Sequence, residues 1–322
     1  MSAPPTAPGL PSTITEQVRA GAFLLVDKPR GPSSHQVAAW VREILGVERA
    51  GHAGTLDPNV SGLLWVGVGP ALKLIPMMLE LPKRYIARMA FHGPVSRGDL
   101  ERVVGEFEGP VYQTPPVRSA VKRERRIRTI HRLTLLESDP PQLLLDMVVD
   151  SGTYVRTLAI DLGDALGVGA HLEELRRVQT GPFRETDAVR LADLQDAATR
   201  AREGDATALA RALHPIEEVW REFPRVVVKE AAASALAHGS PLARGGIVNV
   251  PRPFTKGATV TLVSRTGELI AVGTALVDSG DLHGARPGWV IASQRVFADP
   301  QRHPPRWGSG ASHPTSSEAP AE

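Results

Sequence analysis

Apolar positions recur along this chain with two different periods, and the switches between them outline its elements. Phe23-Leu24-Leu25-Val26-Asp27 is a short continuous apolar run, broken by Lys28-Pro29-Arg30-Gly31-Pro32, and reads as a strand. Val37, Trp40, Val41, Ile44 and Leu45 then fall on one face of a helix that Ser33 or Ser34 caps and Gly46 ends. Leu63-Leu64-Trp65-Val66-Gly67-Val68 reads as a fully buried strand. From 83 to 91 the chain alternates, with Tyr85, Ala87 and Met89 on one side and Arg84, Ile86 and Arg88 on the other. A short helix is predicted over 99–107. Strands over 129–136 and 143–149, separated by Asp139-Pro140-Pro141, are predicted to pair antiparallel. Ser151-Gly152-Thr153 turns into a helix through Tyr154, Leu158, Asp161 and Leu162. The spacing over 171–177 predicts another short helix, stopped by Gly181-Pro182, and 191–213 is Ala-rich and helical.

The pattern changes near Phe223-Pro224. Short strands are predicted at 226–228, 247–250, 258–263, 268–277 and 289–296, with a helix at 230–238. Short strands between Gly/Pro turns suggest a small β-barrel-like module. Residues 1–20 and 300–322 are rich in Pro, Ala and Ser and predict a flexible N-terminal arm and a disordered tail. The reading is therefore two domains, 21–222 and 223–299, which suits a length of 322 residues.

Composition narrows the chemistry. Hydrophobic residues make up 42% and charged residues 22%, enough to bury a real core. No apolar run approaches the ~18 residues of a membrane span, and no basic-then-apolar leader is visible, so an intracellular, cytoplasmic protein is expected. With no cysteine, thiolate zinc sites and a disulfide framework are excluded. The zinc deaminase signature fails for the same reason, and no G-x-x-x-x-G-K-[ST] run marks a nucleotide-binding loop. None of the 10 histidines has another within four positions, so a local metal site is not expected. Net charge is only +2, but between Arg118 and Arg132 seven basic residues (Arg118, Lys122, Arg123, Arg125, Arg126, Arg128 and Arg132) face Glu124 alone. That density favours a phosphate-binding patch over an ordinary solvated strand face.

Candidate chemistry centres on Gly51-His52-Ala53-Gly54-Thr55-Leu56-Asp57-Pro58. The run is too rich in glycine for a helix or strand interior, and Pro58 keeps Asp57 out of the α region. A short acid on a rigid turn suits chemistry, although most Asp-Pro pairs are plain turns. Arg156, at the start of a helix, opposes the helix dipole and so suggests an acidic partner elsewhere. Tyr85 is one of only 3 tyrosines and offers a ring for stacking and a phenol for proton transfer. His52 reads as a general base, an RNA contact or a turn hydrogen-bonder, and Lys28 as a phosphate ligand or an orienter of the loop.

Five separated blocks resemble the TruB-type pseudouridine synthases over about residues 21–185. They are Lys28-Pro29 with Gly31, Pro32, Ser34 and His35; the 51–58 loop; Lys83-Arg84-Tyr85; Gly152-Thr153-Tyr154-Val155-Arg156; and Gly167-Val168-Gly169-Ala170-His171-Leu172 with Leu175-Arg176-Arg177 and Gly181-Pro182-Phe183. Gln113-Thr114-Pro115-Pro116-Val117-Arg118 and the arginines that follow resemble the archaeal/eukaryotic dyskerin branch. Arg225-Val226-Val227-Val228-Lys229-Glu230 and Phe254-Thr255-Lys256-Gly257 resemble its PUA module. Ser33 stands where that family has threonine, and 231–233 is plainer than usual; neither touches the proposed chemistry.

The resemblance implies an α+β fold: a pseudouridine synthase catalytic domain with a mixed, mainly antiparallel central sheet flanked by helices, plus a small β-barrel-like PUA domain. It implies that Asp57 is the nucleophile, attacking either C6 of the base or C1′ of the ribose. Tyr85 would stack on the uracil, Arg156 would pair with Asp57, and Leu175 would form an apolar wall that keeps water from the cleaved intermediate. The RNA would be held by Lys28, His52, Arg118, Lys122, Arg123, Arg125 and Arg126. No metal or cofactor is implied. The implied partners are an H/ACA guide RNA, a substrate rRNA or tRNA, two small core proteins on the catalytic domain, and a kink-turn-binding protein joined through the guide. The N-terminal arm would pack on the PUA module. Two alternatives stand beside this reading: a stand-alone tRNA T-loop synthase and a non-catalytic RNA-binding scaffold.

Overall fold

Two sheets organise the computed structural model, which describes residues 9–114, 124–283 and 288–304. In chain order the first part runs α1 (Ser12–Ala20), β1 (Ala22–Lys28), α2 (Ser34–Leu45), β2 (Ala50–Ala53), β3 (Ser61–Val68), α3 (Ile75–Glu80), β4 (Lys83–Phe91), α4 (Arg97–Glu106), β5 (Gly109–Gln113) and β6 (Arg126–Asp139). It continues through β7 (Gln142–Val149), α5 (Val155–Ala165), β8 (Ala170–Thr180), β9 (Phe183–Arg184), α6 (Leu191–Arg202), α7 (Thr207–Ala212), β10 (His214–Pro215) and the single turn α8 (Glu217–Trp220). The second part holds β11 (Arg225–Val228), α9 (Glu230–Ala237), β12 (Leu242–Ala243), β13 (Ile247–Asn249), β14 (Thr259–Val263), β15 (Leu269–Ala275) and β16 (Trp289–Val296). The chain divides into two compact units between Val219 and Trp220.

The first unit is built on a 10-stranded sheet of order β10-β1-β3-β8-β4-β7-β6-β5, with β2 added to β3 and β9 to β8. Among its described strands the β3–β8 pairing is parallel and the other pairs are antiparallel. This is the α+β, mainly antiparallel architecture that the resemblance implies. The α2 helix shows why local sequence suffices in places. The Ser33 hydroxyl accepts from Gln36 N at 3.1 Å, Gly46 adopts the left-handed conformation that ends the helix, and Val37, Ala38, Val41 and Leu45 are buried. They pack with Leu24 and Val26 of β1, Leu64 and Val66 of β3, and Leu194 and Ala198 of α6. A second cluster joins Ala87 and Met89 of β4 and Leu145 and Met147 of β7 with Leu158 and Leu162 of α5. The second unit carries a 6-stranded sheet of order β12-β16-β15-β14-β11-β13, curled nearly into a barrel around Val226, Leu236, Leu262, Ile270 and Ile291.

Three expectations are corrected. The segment predicted as a helix over 171–177 is β8, hydrogen-bonded on both sides to β3 and β4. A register shift leaves Glu173 unpaired while Leu172 faces Met89 and Leu175 faces Ala87. The extra residue puts two leucines three apart on one face, a spacing that mimics a helix. Residues 12–20 are not an arm. Leu10, Ile14 and Val18 lie four apart, and Ile14 is fully buried in the first unit's core. The glycine-rich run is not all loop either, because residues 50–53 pair with β3 as β2. The expected tail falls mostly outside the described residues.

Candidate active site

Asp57 sits between β2 and β3, and its backbone is clamped on both sides. Before it, the buried Ser34 hydroxyl accepts from Leu56 N at 2.8 Å and donates to Leu56 O at 2.9 Å. After it, Val60 N donates to Asp57 O at 3.0 Å and Gly31 N donates to Pro58 O at 2.8 Å. Lys28 completes the clamp from below. It is fully buried, and its Nζ donates to Val60 O at 2.7 Å, Pro29 O at 2.9 Å and Pro58 O at 3.4 Å. An ammonium has three donors, and all three are used here. Of the two readings open for Lys28, the structure takes the orienter of the loop, and the expected RNA contact is corrected because a fully buried ammonium with all its donors used has none left for a phosphate. Burial holds its pKa below the usual lysine range; Asp57 opposes that shift and Arg177 adds to it.

The Asp57 carboxylate itself remains open. Its side chain is 54% exposed, and Oδ2 pairs with Arg156 Nη2 at 3.1 Å. The two residues come from a loop and from the first turn of α5, far apart in sequence, so Arg156 has the acidic partner that its place at a helix start suggests. An ion pair this exposed contributes at most about 1 kcal/mol to folding, so stability alone gives little reason to assemble it.

Strand register gathers the rest. Lys28 of β1 faces Gly62 of β3, Gly62 faces Arg177 of β8, and Arg177 faces Tyr85 of β4. Residues in one row project to one face of the sheet, so Tyr85 and Arg177 are neighbours beside the loop. Leu175, two residues along β8, lies on the same face opposite Ala87 and packs, like Tyr85, on the second cluster. Both are half-buried. Arg177 has no assigned role in the sequence reading. It is 2% exposed, and its Nε donates to Leu63 O at 2.8 Å. Two glycines make room for it. A Cβ on Gly62, at φ +102°, would lie 2.2 Å from Arg177 O, and one on Gly54, at φ +68°, would lie 3.0 Å from Arg177 Nη1. The signal was available in Leu175-Arg176-Arg177, but only strand geometry sends those two arginines to opposite faces. Arg176 pairs with Asp27 at 3.0 Å and Glu185 at 2.6 Å on the other side. Lys83 is a second buried lysine. It donates to Met78 O, Leu79 O and Leu81 O at the end of α3, and burial followed by Arg177 pushes its pKa down to about 7 against the pull of Asp150.

His52 is half-buried in β2, with Nε2 3.2 Å from Thr55 Oγ1 and its ring edge-on to His35. Burial, then His35, then Arg177 lower its pKa, so it meets neutral pH as an uncharged hydrogen-bonder. Of the basic cluster, Arg118, Lys122 and Arg123 lie outside the described residues. Arg125 and Arg126 are exposed; Arg125 lies 4.4 Å over the Tyr112 ring, and Arg126 stands opposite Gln113 in the β5–β6 pair. Arg132 is committed to Asp146, which also takes two hydrogen bonds from Arg84 at 2.8 Å each. The site thus offers a fixed, accessible carboxylate with a guanidinium counter-ion, beside a phenol and an aliphatic wall. That set suits nucleophilic chemistry on an RNA base.

Known proteins resemble this chain over nearly its whole length. Residues 42–101 match the TruB family pseudouridylate synthase N-terminal domain, 156–220 the tRNA pseudouridylate synthase B C-terminal domain, and 224–297 the PUA domain. A "Probable tRNA pseudouridine synthase B" of Pyrobaculum calidifontis is 48% identical over 290 residues, which span 90% of this chain and 87% of the relative. A protein of the same name from Methanothermobacter thermautotrophicus is 44% identical over 283 residues, 88% and 87% of the two chains. Among solved structures, a Cbf5-Nop10-Gar1 complex is matched at TM-score 0.85 and 36% identity, over 94% of this chain and 93% of that one. An H/ACA RNP bound to a substrate RNA containing 2′-deoxyuridine is matched at TM-score 0.81 and 34% identity, over 95% and 94%. Identity at this level along nearly the whole chain means that it belongs to the TruB family of pseudouridine synthases, isomerases that act on RNA, and that it carries a PUA domain.

Proposed function

We propose that this pseudouridine synthase is the catalytic subunit of a guide-directed H/ACA particle acting on rRNA, with Asp57 as its nucleophile. The observation that carries the guide-directed reading is the likeness, over both units, to the Cbf5-Nop10-Gar1 complex at TM-score 0.85. The small protein partners named there and an H/ACA RNA are the partners proposed for this chain, with a kink-turn-binding protein joining through the guide. Base pairing then selects the uridine, and the protein supplies shape, backbone contacts and chemistry.

The target uridine leaves its stack to reach the loop. The Asp57 carboxylate attacks C6 of the base or C1′ of the ribose, and the N1–C1′ bond breaks. The uracil turns, C5 bonds to C1′, and the bond to Asp57 breaks, which returns the free carboxylate. The proton lost from C5 balances the one N1 gains, so the reaction is an isomerisation with no net loss. Arg156 orients the carboxylate, Tyr85 stacks on the uracil and relays the C5 proton, and Leu175 excludes water from the cleaved intermediate. His52, Arg125 and Arg126 face the RNA. A second reading, a synthase that modifies tRNA without a guide, is favoured by the names of the archaeal relatives.

Pseudouridine mapping separates the readings. Wild-type and Asp57→Asn proteins are incubated with an rRNA fragment and with tRNA, each with and without guide RNA and the small partner proteins. The proposal expects a guide-dependent product in rRNA, lost in Asp57→Asn with RNA binding retained. Product in tRNA alone, unaffected by guide, would move the assignment to the second reading. Unchanged product from Asp57→Asn would remove Asp57 from the chemistry.

A further inference from the structure

Arg156 meets Asp57 only if the first turn of α5 starts at the right place, and that turn has no capping side chain of its own. Tyr154 occupies the N-cap position without a side-chain cap bond. Its backbone is held from another element. Gln113, the last residue of β5 and only 2% exposed, receives a hydrogen bond on Oε1 from Tyr154 N at 2.9 Å and donates from Nε2 to Tyr154 O at 3.2 Å. One side-chain amide thus mimics a strand partner for one residue. The same Tyr154 O accepts the first helical bond, from Leu158 N at 3.1 Å. The turn before it hangs on β6. Thr153 N and Oγ1 donate to Asp150 O at 3.2 and 2.8 Å, and the Asp150 carboxylate is held by Thr129 N at 2.9 Å and His131 Nε2 at 2.8 Å. The β5–β6 pair, in which Gln113 stands opposite Arg126, therefore grips the start of α5 at two points.

We propose that Gln113 is a positioning residue for the reaction: by pairing with both backbone atoms of Tyr154 it sets the first turn of α5, and so the place at which Arg156 meets Asp57. The inference rests on the catalytic reading of Asp57 and Arg156. A buried amide satisfied on both its atoms by one backbone residue has little tolerance for displacement. Arg156 lies two residues beyond that residue, so an error at Tyr154 is passed to the ion pair nearly undiminished. The pair is exposed and gains little energy of its own with which to correct the error. Gln113 is also the last strand residue before the basic segment, so the element that would carry RNA contacts is the one that places the counter-ion.

The test is a double-variant cycle read by tritium release from RNA labelled at uridine C5, together with substrate KM, RNA affinity and a thermal melt. Gln113→Leu matches the amide in size but leaves Tyr154 N without its acceptor. Turnover is expected to fall roughly ten- to a hundredfold, the range for small misplacements of reacting groups, with KM changed less than about twofold. In an Arg156→Lys background the same substitution should cost less than about twofold, because the residue it acts through is already compromised. Losses that multiply in the double variant, or a raised KM with turnover unchanged, would overturn the proposal. Should Gln113→Leu fail to fold, Gln113→Glu, which keeps the acceptor for Tyr154 N, carries the same cycle. Asp57→Asn with undiminished turnover would overturn the underlying catalytic reading, a result separate from the cycle.

Discussion

Lys28 and Lys83 are both buried, Lys28 under the Asp57 loop and Lys83 at the end of α3, and each turns its ammonium to three backbone carbonyls. Nothing in Lys28-Pro29 or Lys83-Arg84 distinguishes such a lysine from a solvated one, because burial belongs to the surroundings and not to the residue. The cost of burying a charge makes Lys83 a pH sensor of stability. Its folded pKa is about 7, against an ordinary 10.5, with burial the larger cause and Arg177 the next. Below about pH 7 both states hold the proton and the burial penalty is fully present. Between about 7 and 10.5 the unfolded chain binds a proton that the folded protein has released, so stability rises with pH. Urea unfolding of wild type and Lys83→Met should show the difference between them shifting in favour of wild type by up to about 4 kcal/mol from about pH 7 to 10. A difference that stays flat would mean that the three carbonyls hold the charge in place across that range.

β8 is the element that the sequence pattern misjudged, and it is the one that assembles the site. It carries Leu175 and Arg177, joins the two halves of the first sheet through its parallel pairing with β3, and hides its period behind the bulge at Glu173. The β3–β8 seam is so close that Gly62 has no space for a Cβ, which would meet Arg177 O at 2.2 Å. Gly62→Ala should therefore destabilise the protein by about 3 kcal/mol or more, through clash and a strained backbone at φ +102°. Gly98, in α4, has open space around its Cβ position, and Gly98→Ala should be neutral or stabilise by up to ~1 kcal/mol. Thermal melts of the two variants make the comparison. By contrast α2, β4, the β6–β7 pair and the second unit's strands other than the two-residue β12 were legible, because caps, alternation and turn residues are local. The α1 helix was hidden by proline- and alanine-rich composition, although Leu10, Ile14 and Val18 keep helical spacing.

The whole molecule has a net charge of only +2, so any attraction to RNA has to come from where the charges stand. Many arginines are already engaged: Arg84 and Arg132 with Asp146, Arg176 with Asp27 and Glu185, and Arg88 with Glu173 and Glu174. Arg125 and Arg126 stand exposed. Replacing either by Gln should weaken RNA binding and lower the slope of log affinity against log salt by about 1 for each phosphate that is no longer neutralised. Arg132→Gln, which takes a donor from buried Asp146, should cost stability and leave that slope unchanged. Binding titrations over a range of salt concentrations decide between the two patterns.

The linear sequence determined whatever depends on near neighbours: two units of different element type, most helix and strand positions, the rigid Asp-Pro turn, and the identity of Asp57, Tyr85 and Arg156 as candidates. The tertiary structure decided what depends on residues far apart. Strand register brought Lys28, Arg177 and Tyr85 into one row, a bulge turned an apparent helix into β8, and burial made Lys28 a clamp under the loop. The amide of Gln113 fixed where α5 begins. Periods and caps are set by backbone geometry over a few residues. Which charges are buried, and which groups meet across a sheet, is set by the packing of distant strands.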